Sequence, residues 1–207
     1  MKKIIFMLAL STVCFQLAGL SQARVGLAGG VSIARMESEP EGDGKLGLFT
    51  SLVVDAPIGK SKFSFYPVFS YVQKGQTEPS PAGTLIDKQY IALRYMELST
   101  NFLYNVGGDK GGTFFIGLGP AISFNLPSKR ASFIDDLKTE TDILFGPTPE
   151  NDLRGVDYGA NFIAGLRAKG GVFISVNYNM GLRDLATEGD PELKNRYIGI
   201  QLGFLLK

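Results

Sequence analysis

DYGANFIAGLRAKGGVFISVNYNMGLR, residues Asp157 to Arg183, alternates with period two on both sides of a short break. In the first half Tyr158, Ala160, Phe162, Ala164, Leu166 and Ala168 share one face, against Asp157, Gly159, Asn161, Ile163, Gly165 and Arg167. In the second, Val172, Ile174, Val176, Tyr178, Met180 and Leu182 oppose Phe173, Ser175, Asn177, Asn179, Gly181 and Arg183. Alternation of this length specifies β-strand, and the break Lys169-Gly170-Gly171 specifies a hairpin. Pairing Ala168 with Val172 around a three-residue turn puts both apolar faces on one side, with glycine supplying a positive φ. The same register sets Asp157 opposite Arg183. Each strand is about ten residues long, the length with which a tilted strand crosses a bilayer. One face is greasy and the other small and polar, which suits a barrel whose outside is lipid.

The rest of the chain repeats this pattern. Strands are predicted over 24–34, 45–54, 62–74, 88–105, 113–125 and 194–206, which with the hairpin makes eight. Phe63, Phe65, Pro67, Phe69 and Tyr71 face outward on the third, with a bulge or local distortion expected at Pro67, which cannot donate to a ladder. The fourth changes phase between Ile91-Leu93-Tyr95 and Met96-Leu98-Phe102-Tyr104. A bulge near Tyr95-Met96 would reconcile the two and turn Arg94 and Glu97 inward. Connections alternate between long polar loops and short turns. The fold class is therefore all-β: an eight-stranded antiparallel up-and-down transmembrane β-barrel, with short turns and both termini on the periplasmic side.

Composition agrees. Glycine occurs 26 times in 207 residues, against a usual share of about 7%. Lys2 and Lys3, the apolar run Ile4 to Leu20 and the small-residue site Ser21-Gln22-Ala23 read as an export signal. The expected organisation is a signal over 1–23, removed, and a barrel domain over 24–207. The only cysteine, Cys14, lies in the signal, and histidine is absent. This excludes disulfides in the mature chain, imidazole catalysis and histidine metal sites. Lys and Arg number 21 against 20 Asp and Glu, so nothing points to nucleic acid.

Four segments carry a family resemblance: RYMELSTNFLYN at 94–105, GTFFIGLGPAISF at 112–124, YNMGLRDL at 178–185 and RYIGIQLGFLLK at 196–207. They resemble the PorT-like outer-membrane β-barrel family of Bacteroidetes-type Gram-negative bacteria, over essentially the whole mature chain. The resemblance implies an outer-membrane location and, for some members, a link to protein secretion.

The candidate interior polar network is Arg94, Glu97, Asp157, Asn161, Arg167, Asn177, Asn179 and Arg183. Its rival readings are a ligand or proton path and charge-balanced filling of a narrow barrel. The segment Leu126 to Gly155 is far longer than an ordinary connection. Its Phe133, Ile134, Leu137, Ile143, Leu144 and Phe145 are expected to pack over the barrel mouth or against a partner, with a short helix or extra hairpin possible at 133–145. Glu37, Glu39, Glu41 and Asp43 form an acidic loop without calcium-loop spacing. No catalytic set, metal or cofactor is expected. The expected partners are outer-membrane lipid and another envelope or secretion protein met through the loops, around a monomeric barrel. The alternative is a soluble lipocalin-like barrel whose greasy face lines the lumen and carries an apolar ligand.

Overall fold

The computed structural model describes residues 23–37, 42–78, 86–107, 112–135, 137–187 and 192–206. Residues 1–22 of the expected export signal, Cys14 among them, and Glu39, Glu41 and Lys207 lie outside them. Nine strands follow in order: β1 Arg24–Glu37, β2 Asp43–Pro57, β3 Phe63–Glu78, β4 Lys88–Gly107, β5 Thr113–Ile134, β6 Leu137–Asp142, β7 Val156–Arg167, β8 Val172–Gly181 and β9 Lys194–Leu205. Every pairing is antiparallel, β1 meets β9, and β5 meets both β4 and β7. Each of the eight strands other than β6 thus has a neighbour on both sides, β5 with β6 as a third partner, which closes an eight-stranded ring without edges of its own. β6 pairs only with the far end of β5, as an extra hairpin standing on the barrel.

The decisive hairpin has the expected register. The Ala168 N–H donates to the Val172 carbonyl at 2.8 Å, and Leu182 N–H to Tyr158 at 2.9 Å. Gly171 takes φ +92° in the turn, a conformation costly for other residues.

Alternation resolves which face is which. Leu27, Leu46, Phe63, Phe102, Leu118, Phe162, Ile174 and Leu202 are exposed, whereas Ser51, Ser70, Asn101, Asn161, Asn177 and Gln201 are buried. The greasy face is the outside, and the lipocalin-like alternative falls. Outward apolar residues run from Tyr104 to Met96 on β4 and from Val25 to Ile33 on β1. Eight steps at about 3.3 Å span about 26 Å along a strand, the scale of the apolar band of outer-membrane barrels. Phe63–Tyr104 and Phe65–Phe102 ring pairs, with centroids 5.3 and 5.6 Å apart, mark its short-turn end.

One expectation about the strands differs from the structure. β4 has no bulge at Tyr95-Met96: Ile91, Leu93, Tyr95, Glu97 and Ser99 are all buried, and Arg94 points outward. The irregularity lies on β5. Ala92 faces Lys129 while Arg94 faces Leu126, so β5 carries one extra residue near Pro127. Proline has no N–H to give the ladder; instead the Ser128 hydroxyl accepts from Arg94 N–H at 3.0 Å and donates to the Leu126 carbonyl at 2.7 Å. At Pro67 the expected distortion takes the form of a gap without a register shift: the β2–β3 ladder skips from Val53–Val68 to Ala56–Phe65 and continues in phase. In the segment 126–155, β5 runs on to Ile134 and turns into β6, which is the extra hairpin of the two possibilities there.

Candidate functional site: a filled lumen under a loop plug

Inward positions of the eight strands stack into layers. At the short-turn end Asp55 Oδ2 accepts from Arg24 at 2.6 Å and from Arg167. Arg167 also donates to Asn105 Oδ1 at 2.7 Å and lies over the Phe115 ring at 5.6 Å. Tyr66, Leu103, Phe115, Ile163, Phe173 and Leu205 form an apolar cluster in this half. Next come hydroxyls and amides: Gln201 Nε2 donates to Ser51 Oγ at 2.7 Å, and Asn161 Nδ2 to Asn101 Oδ1 at 2.9 Å. Asn161 Oδ1, Ser175 Oγ, Asn177 Nδ2 and Asn179 Nδ2 have no protein partner. This layer holds more hydrogen-bonding capacity than its side chains use among themselves.

Above it sits the charged centre. Lys74 Nζ lies 3.0 Å from Glu97 Oε2 and 3.4 Å from Asp157 Oδ2, with all three side chains at most 2% exposed. Ser123 Oγ accepts from Lys74 at 3.1 Å and donates to Glu97 at 2.7 Å. Tyr197 OH donates to Glu97 Oε1 at 2.5 Å, and Asn195 Nδ2 to Asp157 Oδ2 at 3.1 Å. The ammonium stands 4.9 Å from the Tyr95 ring centroid and 5.1 Å from that of Tyr197. One cation therefore serves two carboxylates, and Asp157 Oδ1 has no partner.

Six of the eight residues expected inside are there: Glu97, Asp157, Asn161, Arg167, Asn177 and Asn179 are buried. Arg94 is not, for the reason of phase given above. Arg183 is half-buried at the rim, where it donates to the Val156 carbonyl at 2.9 Å and stacks 5.8 Å from Tyr158. Its register opposite Asp157 holds, but Asp157 turns to Lys74 across the lumen. Sequence reasoning missed Lys74, Asp55, Asn195, Tyr95 and Tyr197. Lys74 shares the parity of Ser64, Tyr66, Val68 and Ser70 on β3, a signal that extends past the expected end of the inward row.

The mouth is closed by a plug. Ile143, Leu153 and Leu185 pack with Met36, Phe49, Val72, Ile91, Leu93, Tyr95 and Tyr197. Asp184 Oδ1 accepts from the N–H groups of Ala186 and Leu193 at 3.0 and 2.9 Å, which pins Leu185 in place. Of the six apolar loop residues, Ile143 is buried and Phe145 packs beside it. Phe133 meets the Tyr90 ring at 5.8 Å. Ile134 and Leu137 stay exposed at the hairpin tip, Leu137 at 71%, and Leu144 stays exposed because it alternates with the plug residues Ile143 and Phe145. Leu153 and Leu185 were not expected.

On the β5–β6 hairpin, Glu140 accepts from Lys129 at 2.7 Å and pairs with Lys138 at 2.5 Å. Hydrogen bonds from these two ammonium groups pull its carboxyl from the usual 4.5 down to about 2. A depressed carboxyl stabilises its folded arrangement above the ordinary value and loses that contribution as pH falls through the depressed one. The Glu140 side-chain carbonyl resonance is expected to titrate near pH 2 in the native protein. In Lys129→Ala/Lys138→Ala it should titrate near its ordinary value.

A closed antiparallel ring, an apolar outer band and a polar, charge-bearing lumen define an outer-membrane β-barrel. The family profile described as outer membrane protein beta-barrel domain matches residues 16–187, and the chain belongs to this family. The protein is an outer-membrane protein. Solved structures similar to it include Ail of Yersinia pestis, 13% identical, over 89% of this chain and 99% of Ail, with a TM-score of 0.45. Neisserial surface protein A is 10% identical over 90% of this chain and 97% of its own, with a TM-score of 0.49. The outer membrane enzyme PagL is 12% identical over 88% and 98%, with a TM-score of 0.45. No curated protein matches the chain.

Proposed function

We propose that this barrel is a non-conducting outer-membrane scaffold that acts through its external loops, in binding, surface organisation or as an accessory to protein export. The supporting observation is the stack just described. Arg167 with Asp55, the Phe115–Phe173 cluster, the Lys74 centre and the Ile143–Leu153–Leu185 plug occupy successive levels of the lumen. Eight strands leave space for side chains and little else. Among the described residues the β5–β6 hairpin stands available to a partner, with exposed Leu137 beside charged Lys129, Lys138 and Glu140. Residues 1–23 serve as the export signal in this reading, and 24–207 as the mature, monomeric domain. The reading is of a non-enzymatic protein: the absence of histidine and the engagement of the buried carboxylates with Lys74 favour it. The PorT-like resemblance of 94–105, 112–124, 178–185 and 196–207 favours the accessory role among the three.

Planar-bilayer recording on the intact protein should show no steady conductance; a porin-sized open level would refute the closed lumen. Replacing the hairpin tip, residues 132–139, by a short Gly-Ser turn should leave the barrel folded and inserted, because the ring and plug stay intact. It should abolish co-purification of an envelope partner that the native protein retains, and undiminished co-purification would remove the hairpin from the proposal.

A further inference from the structure

We propose that the outer wall of the barrel, at the top of its lipid-facing band, carries a binding site for the phosphate headgroup of an outer-leaflet lipid. A cavity of about 370 Å³ opens there, and its wall includes Lys45, Arg94, Lys129 and Lys138 with Gln73 and Tyr90. Four cations face it against one carboxylate, Glu140. Glu140 is already shared by Lys129 and Lys138. Among the described residues no carboxylate lies within ion-pair distance of Lys45 or Arg94, and Lys45 stands 5.5 Å from the Tyr90 ring centroid. Two cations on a common cavity, with no counter-ion among the described residues, form an anion site.

Location decides the kind of anion. Arg94 is two residues above Met96 on the same outward face of β4, and Met96 pairs with Tyr71 on one side and Phe124 on the other. Leu98, Phe69 and Ile122 continue that wall downward. On the other flank the exposed row Leu48 and Leu46 of β2 reaches the level of Lys45, which lines the cavity from the next ladder position, opposite Ala34. The apolar wall therefore ends where the cations begin, and the β5–β6 hairpin overhangs them. A molecule held there has its charge in the cavity and its tail along the band. That is an amphiphile with a phosphate head, which guanidinium and ammonium groups bind by charge-assisted hydrogen bonds. The rim on the opposite side differs: Arg196 is paired with Glu37 at 2.5 Å.

The intact mature barrel in uncharged detergent micelles, followed by native mass spectrometry, tests this. The probes are lipid A carrying its phosphates, the same lipid dephosphorylated, and inorganic phosphate. The native protein should retain the phosphorylated lipid, and Lys45→Gln/Arg94→Gln should hold it about tenfold more weakly. The charge-conserving Lys45→Arg/Arg94→Lys should keep most of the binding, which separates charge from any change in folding. Equal retention by the native protein and the Gln variant would overturn the site, as would equal retention of the dephosphorylated lipid. Inorganic phosphate binding as tightly as the lipid would overturn the lipid assignment.

Discussion

Replacing Lys74 by methionine is expected to destabilise the barrel by about 3–5 kcal/mol, the cost of stripping the partner from buried charge. The ammonium is fully enclosed, 3.0 Å from Glu97 and 3.4 Å from Asp157, and among the described residues no other cation pairs with either carboxylate. Without it two carboxylates remain in an interior that water reaches poorly, held only by Ser123, Tyr197 and Asn195. Urea unfolding in micelles, read by tyrosine fluorescence, would measure the loss. The same reasoning sets a contrast. Asp157→Asn should cost much less than Lys74→Met, since Lys74 keeps Glu97 and the layer loses its excess negative charge. The triple variant Lys74→Met/Glu97→Gln/Asp157→Asn should recover part of the loss, because breaking a buried ion cluster costs more than replacing it. Equal effects of Lys74→Met and Asp157→Asn would mean that the cluster is not organised around the lysine.

The strand pattern was legible because period-two alternation and glycine placement report directly on a two-faced sheet. Gly171 and the Ala168–Val172 pairing came from local chemistry alone, and the long-short alternation of connections supplied the ring. The misreading on β4 has a physical source. Taking apolar residues as outward is sound only within the lipid band. Above it β3, β4 and β5 continue into water, and there the inside is the greasy side, because Ile91, Leu93 and Tyr95 receive Ile143, Leu153 and Leu185. A single rule applied past its boundary placed Arg94 inside and left Lys74 unread. Asp55 was missed for a related reason. It looks like turn chemistry next to Pro57, yet it is the buried acceptor for Arg24 and Arg167. Which cation reaches which carboxylate across the lumen depends on barrel closure. Register within one hairpin, the source of the Asp157–Arg183 expectation, does not contain that information.

Gly203→Ala is the second large effect expected, at about 1–3 kcal/mol, the usual range for forcing atoms into a packed interior. Gly203 faces the lumen between Ala28 of β1 and Phe173 of β8, its direct cross-strand neighbours. A Cβ built on it would stand 2.3 Å from Phe173 Cζ and 2.8 Å from Ala28 Cβ. The glycine is a seat for the ring, a small residue set against a large one so that the narrow interior fills without collision. Gly165 does the same for Phe115, its own neighbour across the strands, where a Cβ would come 2.3 Å from the ring. Because Phe173 sits in the apolar cluster with Tyr66, Leu103 and Leu205, it cannot swing aside without disturbing them. Phe173→Leu alone should also destabilise, by opening a cavity. Combined with Gly203→Ala, however, the shorter side chain makes room for the new methyl, so the double variant should lose less than the sum of the singles. Urea unfolding of the four proteins closes the cycle, and a coupling energy of at least about 0.5 kcal/mol in the restoring direction is expected for residues in contact. Strict additivity would show that the ring does not rest on Gly203.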